Sequence, residues 1–194
     1  MIDTLVARAK GFLQSPVETF RQSKNDEPLA VFMYFGALLV FNAIISAGIA
    51  ALGMATMPMN GMSYGLAFPV RIFFMMLVGG FIVMLVFAAW LHLWVYIFGG
   101  RKGIMQTANA LIYGSTPSLL LGWIPIIGFI FTLWSVVICI LGIRELHEVS
   151  SMKATLAVAI AVMIPVILLL VLAAYLMISY VTMTAGPVTP VNLF

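Results

Sequence analysis

Residues 72–100 read IFFMMLVGGFIVMLVFAAWLHLWVYIFGG, a run without one Asp, Glu, Lys or Arg that stops at Arg101-Lys102. A helix crosses the hydrocarbon of a bilayer with about 20 predominantly apolar residues, so this run holds a complete crossing by itself. Residues 29–70, 103–143 and 154–194 are equally free of charge. Across the whole chain the charged residues amount to 8% and the hydrophobic ones to 64%. Water-soluble domains carry about 25% charged residues, and nothing here supplies such a surface. The expected class is all-α: a polytopic integral membrane protein of five transmembrane helices, preceded by short amphipathic N-terminal helices.

Punctuation divides the apolar stretches. Pro28 opens the first helix and the segment from Met54 to Pro69, with Pro58, Asn60, Gly61 and Ser63, closes it, which predicts a span over 29–53. A second span is expected over 70–98, ending at Gly99-Gly100. Residues 103–143 hold two spans when the turn between them is tight, and Gly122-Trp123-Ile124-Pro125 supplies that turn. This predicts spans over 104–121 and 125–143. The fifth covers 153–182, and the Pro-rich tail around Gly186, Pro187 and Pro190 is expected to be extended. The chain thus divides into an N-terminal cytoplasmic segment over 1–28, a transmembrane domain over 29–182 and an exoplasmic tail over 183–194.

Orientation is set by the basic residues, because cytoplasmic loops retain Lys and Arg. With the N-terminus inside and five spans, Arg8, Lys10, Arg21, Lys24, Arg101, Lys102, Arg144 and Lys153 all fall on the cytoplasmic side, and only Arg71 falls outside. The chain is therefore expected to be a multi-pass protein of the cell membrane, N-terminus cytoplasmic and C-terminus exoplasmic. Charged residues interrupt the first 28 positions, so no cleaved secretory signal is expected there.

Within that N-terminal segment Ile2, Leu5, Val6, Ala9, Phe12 and Leu13 recur at helical spacing, with Arg8 and Lys10 on the other side. The pattern predicts a helix lying in the headgroup plane. Ser15-Pro16-Val17-Glu18 has the form of a capping box that starts a second short helix, with Ser15 as N-cap, Pro16 at the first helical position and Glu18 reaching back.

Ionisable groups deep in a membrane mark pumps and intramembrane enzymes, and here they are scarce. His92, flanked by Trp90 and Trp94, is the titratable residue inside a span, and Asn109 is a polar one in the next. The two are pathway candidates if the chain conducts a solute. For His92 the competing reading is an aromatic-belt residue that reaches the interface; for Asn42, Gln106 and Asn109 it is hydrogen bonding between helices. Ala43, Ala47 and Ala51, and the pair Gly79-Gly80, are expected at close helix contacts. In Arg144-Glu145-Leu146-His147-Glu148 three side chains can ligate metal, but Glu145 and His147 lie on different helix faces. A solvated cluster pairing with Arg101 and Lys102 is expected there. Met54, Met57, Met59 and Met62 read as apolar filler, and the lone Cys139 as a buried hydrophobe. Phosphate-binding glycine loops, nucleophile elbows and His-Glu-x-x-His or Cys-x-x-Cys pairs are missing from the sequence. No catalytic, cofactor-binding or metal-binding residue is assigned, and an enzyme is not expected.

Tyr113-Gly114-Ser115-Thr116-Pro117 in the third span, a Pro-containing segment before the first span and the five-span pattern together resemble the Yip family, the Ypt/Rab-interacting membrane proteins, in its short prokaryotic form. Tyr113 and Pro117 meet the family's Tyr-x-x-x-Pro element, with Ile112 where a Gly is expected. Leu13 and Pro16 meet part of its Asp-Leu-x-Gly-Pro element, with Phe12 and Ser15 in place of the Asp and Gly. The resemblance implies a non-enzymatic scaffold that organises membrane or partners, in trafficking among eukaryotic relatives. Lack of the Asp and of a long N-terminal region argues against a small GTPase as partner. The partners expected are the lipid bilayer, a membrane or cytosolic protein and a second copy of the chain, with no nucleic acid and no cofactor. The alternative is a small-solute or ion channel or transporter. Pro117 takes one donor from the helix, and the carbonyl it frees, near Tyr113, is expected to be satisfied by the Tyr113, Ser115 or Thr116 side chain.

Overall fold

The structure of the chain, a computed structural model, describes residues 2–56 and 67–184. The methionine-rich segment around Met57, Met59 and Met62 and the tail from Gly186 to Pro190 lie outside the described residues. The described part is all-α. Four helical stretches, Pro28–Gly53, Ala67–Ile97, Ile127–His147 and Ser151–Thr184, are long and apolar enough to cross a membrane.

Two short helices come first, α1 (Ile2–Gln14) and α2 (Pro16–Gln22). Pro16 takes the first helical position of α2, as the sequence predicts, but the capping box does not form. Ser15 stands at the N-cap without a side-chain bond, and Glu18 accepts instead from Gln22 Nε2 at 3.1 Å. The Thr19 hydroxyl turns back to the Ser15 carbonyl at 2.9 Å. Ser15 φ/ψ of −142°/64° leaves the chain turning sharply between α1 and α2, so its hydroxyl does not reach the amides ahead.

α3 (Pro28–Thr56) buries one stripe, Val31, Tyr34, Phe35, Leu38, Leu39 and Ala43, at three- and four-residue spacing. Met33, Val40, Phe41 and Ile44 face outward; Ala51 is exposed, so the alanine contact is made at Ala43 and not along the whole series. The next crossing is continuous from α4 (Ala67–Phe74) through a π-helical turn (Met75–Gly79) into α5 (Gly80–Ile97). The extra residue of a π turn re-aims the helix beyond it. Here it turns Gly80 to α3, where a Cβ would stand 2.7 Å from Leu39 Cδ1, while Gly79 faces open space.

The segment predicted as a single third span is broken. It forms α6 (Ile104–Gly114) and α7 (Thr116–Leu121), hinged at Ser115, with Pro117 in the first turn of α7. Each piece is too short to cross a bilayer alone. α6 is buried on nearly every side, with Thr107, Ala108, Asn109, Ala110, Ile112, Tyr113 and Gly114 all inside. α8 (Ile127–His147) packs against it and buries Ser135, Ile138, Cys139, Gly142, Ile143, Leu146 and His147. α9 (Ser151–Thr184) completes the described chain.

Two compact units are present, Met1–Val158 and Ala159–Phe194. In the first, α6 packs against α8, α5 and α3, and α1, α2 and α7 also pack on this core. The second consists, in its described part, of the continuation of α9, an apolar helix with Pro165 inside it and Leu168 to Leu172 exposed.

Lipid offers no hydrophobic exclusion between helices, so α6 and α8 must hold together by close fit and hydrogen bonds. The fit is tightest at Gly114, where a Cβ would stand 2.9 Å from Cys139 Cα. Gly114→Ala should therefore lower stability in detergent by about 1–3 kcal/mol, the range for overpacked sites. Gly36→Ala, whose Cβ would meet nothing within 4 Å, should stay within about 0.5 kcal/mol of the parent. Equal melting of the two variants would mean that the α6–α8 contact is looser than this geometry.

Candidate functional site

The break in the third segment sets the site. Pro117 has no N–H to give to the carbonyl four residues earlier, which is that of Tyr113. The Thr116 hydroxyl takes that carbonyl at 2.7 Å. Having spent its proton there, Thr116 Oγ1 accepts from the Tyr34 hydroxyl of α3 at 2.9 Å. Ser115 Oγ donates to the Ile112 carbonyl at 2.8 Å, the Ser118 amide donates to Ser135 Oγ of α8 at 3.0 Å, and Asn42 Nδ2 donates to the Leu119 carbonyl at 3.0 Å. Side chains from both neighbouring crossings thus satisfy the backbone that the hinge leaves open.

Tyr113 is fully buried, and its hydroxyl points away from the hinge to the N-terminal hairpin. It donates to Asp26 Oδ2 at 2.5 Å and accepts from Arg8 Nη1 at 2.8 Å. Arg8 and Asp26 also pair directly, Nη1 to Oδ2 at 2.8 Å and Nη2 to Oδ1 at 3.1 Å. The ring of Tyr113 stacks on Phe12, centroids 4.4 Å apart and planes at 20°, and meets Tyr34 edge-on at 5.3 Å. Phe20 of α2 closes the cluster, 4.8 Å from Phe12. Room for Phe20 depends on Gly142, where a Cβ would stand 2.6 Å from its Cζ.

This arrangement corrects one expectation about α1. Arg8 does not lie on a solvated face beside Lys10. It is one helical turn from Phe12 on the same side, and both residues meet Tyr113. Lys10 remains exposed.

A second set of polar contacts ties the hairpin to α8. Arg21 Nε donates to Glu145 Oε2 at 3.1 Å, and Arg144 Nη2 reaches Glu145 Oε1 at 2.6 Å. Glu148 accepts from Lys24 and from Lys102, the latter at 2.8 Å. Lys102 and Lys24 hold the Glu148 carboxyl down to about 2, so it stays ionised at any physiological pH. The pairing expected across this face is present for Lys102; Arg101 instead donates to the Tyr96 carbonyl at 2.7 Å and lies 3.6 Å over the Tyr96 ring. Gln106 Nε2 adds a bond to the Lys24 carbonyl at 3.2 Å.

Of the residues singled out from sequence, Tyr113 and Pro117 fall at the centre. Leu13 and Pro16 are both half-buried, at the turn between α1 and α2. Phe12 fills the site with a buried ring. His92 is bonded through Nδ1 to Thr107 Oγ1 at 2.8 Å, and Thr107 Oγ1 to His147 Nε2 at 2.9 Å. Asn109 is buried, with Oδ1 unpartnered, and lies two residues from Thr107, on another side of α6. His92 and Asn109 therefore do not line one path. Glu145, His147 and Glu148 also separate: the two carboxylates face basic residues, while the imidazole turns inward.

Arg8, Asp26, Phe20 and Tyr34 were not anticipated as site residues. The signal for Phe20 was its place one helical turn from Pro16, but Arg8 and Asp26 acquire meaning only through Tyr113, distant by 105 and 87 positions.

Fold and cluster together define a class, a multi-pass α-helical membrane protein whose N-terminal hairpin packs back onto its own bundle. The chain matches the Yip1 domain over residues 10–182 and belongs to that family. No curated protein and no solved structure matches it.

Tyr113→Phe removes both hydroxyl bonds to charged partners and should destabilise docking of the hairpin by about 1–3 kcal/mol. Hydrogen exchange over residues 16–24 is expected to rise while exchange within α8 does not. Unchanged exchange over 16–24 would show that the rings alone hold the hairpin.

Proposed function

We propose that this chain is a non-enzymatic membrane-organising scaffold, acting through the end of the bundle that carries the N-terminal hairpin. The observation that supports it most is how the interior polar groups are used. Tyr34, Arg8, Asp26, Tyr113 and Thr116 are bonded to one another, among packed rings, in a site that leaves none of these five free for a substrate. In this reading no cofactor or metal is needed, and the partners are the bilayer, a membrane or cytosolic protein and a second copy of the chain. Neither a small GTPase nor nucleic acid is among them.

The membrane arrangement belongs to the same proposal. α6 and α7 together serve as a crossing, their hinge sealed by Thr116, Ser135 and Asn42, which makes five with the four long helices. Lys24, Lys102 and Glu148 meet at one end, which puts the hairpin, the turn after α5 and the turn after α8 on a common side. The basic residues gathered at that end support reading it as the cytoplasmic side, and five crossings would then carry the C-terminus to the other side. α1 and α2 lie at the headgroup level there.

A carrier is the second reading, favoured by the unpartnered Asn109 Oδ1. Two measurements separate the readings. Cysteines at Lys10 and Ser150, on a Cys139→Ala background, should be shielded from impermeant reagent in intact cells, and one at Thr184 should react. Reaction of Lys10→Cys or Ser150→Cys from outside overturns the orientation. Proximity labelling from the N-terminus should then capture a partner set that shrinks in Tyr113→Phe. Solute flux in proteoliposomes that falls in Asn109→Ala would replace the scaffold with the carrier.

A further inference from the structure

His92 of α5, Thr107 of α6 and His147 of α8 form a chain of hydrogen bonds that the scaffold reading does not use. One hydroxyl stands 2.8 Å from His92 Nδ1 and 2.9 Å from His147 Nε2, and the rings are 6.1 Å apart. A hydroxyl has one proton, so Thr107 donates to one imidazole and accepts an N–H from the other. The other ring nitrogen of His147, Nδ1, is buried without a partner. Gly100 explains how: its backbone lies against the ring so closely that a Cβ there would stand 2.9 Å from Nδ1 and would also collide with Val95 Cγ1.

We propose that His92, Thr107 and His147 form a proton-operated latch, through which acidification of the aqueous phase at this end loosens the α2 end of the N-terminal hairpin. With both rings neutral, one tautomer of His147 leaves Nδ1 as a bare acceptor against Gly100, an arrangement the packing tolerates. An added proton on His147 makes both its nitrogens donors, and Nδ1–H then faces backbone with nothing to accept it. On His92 the proton forces Nδ1 to donate to Thr107, which fixes Thr107 as donor to His147 and again leaves His147 Nδ1 protonated and unpaired.

The charged and titratable groups around the pair give an added proton no counter-ion. α5 contributes Tyr96, its ring 6.5 Å from His92. The following turn contributes Arg101, bound to Tyr96, and Lys102, whose charge acts on His147. α6 has no charged residue. On α8, Glu145 is taken by Arg21 and Arg144, and beyond it Glu148 is taken by Lys24 and Lys102. The first turn of α9 brings Lys153, near Gly99.

The protonated pair is relieved when the end of α8 moves away from Gly100. That motion carries the hairpin's anchors with it. His147 is the last residue of α8, Glu148 after it turns the chain at φ 56° and binds Lys24, and Glu145 before it binds Arg21. Glu148 itself does not titrate in this range, being held at about 2, so loss of its pairing would come from the movement and not from its own protonation.

Hydrogen exchange of residues 16–24 in lipid nanodiscs tests the latch at about pH 7.5 and about pH 5.5, on either side of an ordinary imidazole. After correction for intrinsic exchange, the parent should exchange about fivefold faster at the acid pH, within reach of a change in one imidazole. His147→Gln, which keeps an amide donor for Thr107 and cannot take a proton, should exchange equally at both. His92→Gln serves the same purpose if His147→Gln does not fold. A parent without pH response, or a response preserved in both variants, overturns the latch.

Discussion

The carbonyl of Tyr113 is the constraint on which the rest of the structure depends. In lipid an unsatisfied carbonyl costs several kcal/mol, and Pro117 removes the donor that helix continuation would supply. Thr116 satisfies it from within the hinge, and in doing so becomes an acceptor aimed at α3. Tyr34 is thereby fixed by its hydroxyl, and its ring becomes one wall of the seat for Tyr113. One missing N–H on α7 thus sets the side-chain arrangement between α3, α6 and α7.

The hairpin is held by two kinds of contact with different weights. Phe12, Phe20 and Tyr34 surround the Tyr113 ring, and aromatic contacts of this geometry add about 0.5–1.5 kcal/mol each beyond their buried area. The Arg8–Asp26–Tyr113 triangle is partly shielded from water and joins charge to hydroxyl, which strengthens it over a neutral hydrogen bond. Arg21 and Lys24, by contrast, pair at the surface, where water screens them and their side chains lose freedom on pairing. Those pairs set where the hairpin ends lie; the rings and the partly shielded triangle hold it down.

Much of the fold was legible because a bilayer imposes its demand along the chain: apolar length without charge. That demand identified α3, the α4–α5 crossing, α8 and α9, and the Tyr113 to Pro117 spacing located the hinge carbonyl. The part that was not legible depends on pairs far apart in sequence. Arg8 reads as a solvated residue in any amphipathic projection, and only a tyrosine 105 positions away turns it inward. His147 sits among charged neighbours and reads as surface, yet helical spacing from Ile143 puts it on the inward face of α8. Asp26 lay in a segment read as a polar lead-in to the first span, where nothing local distinguishes it from Glu27.

The place of Phe12 bears on how the Tyr113 hydroxyl is satisfied. On α1 Phe12 supplies a ring stacked on Tyr113, and the acid that accepts the hydroxyl's hydrogen bond is Asp26. The hydroxyl thus ends on a carboxylate held by an arginine. Within the hairpin the contributions are divided: α1 gives Phe12 and Arg8, and the segment after α2 gives the charge of Asp26.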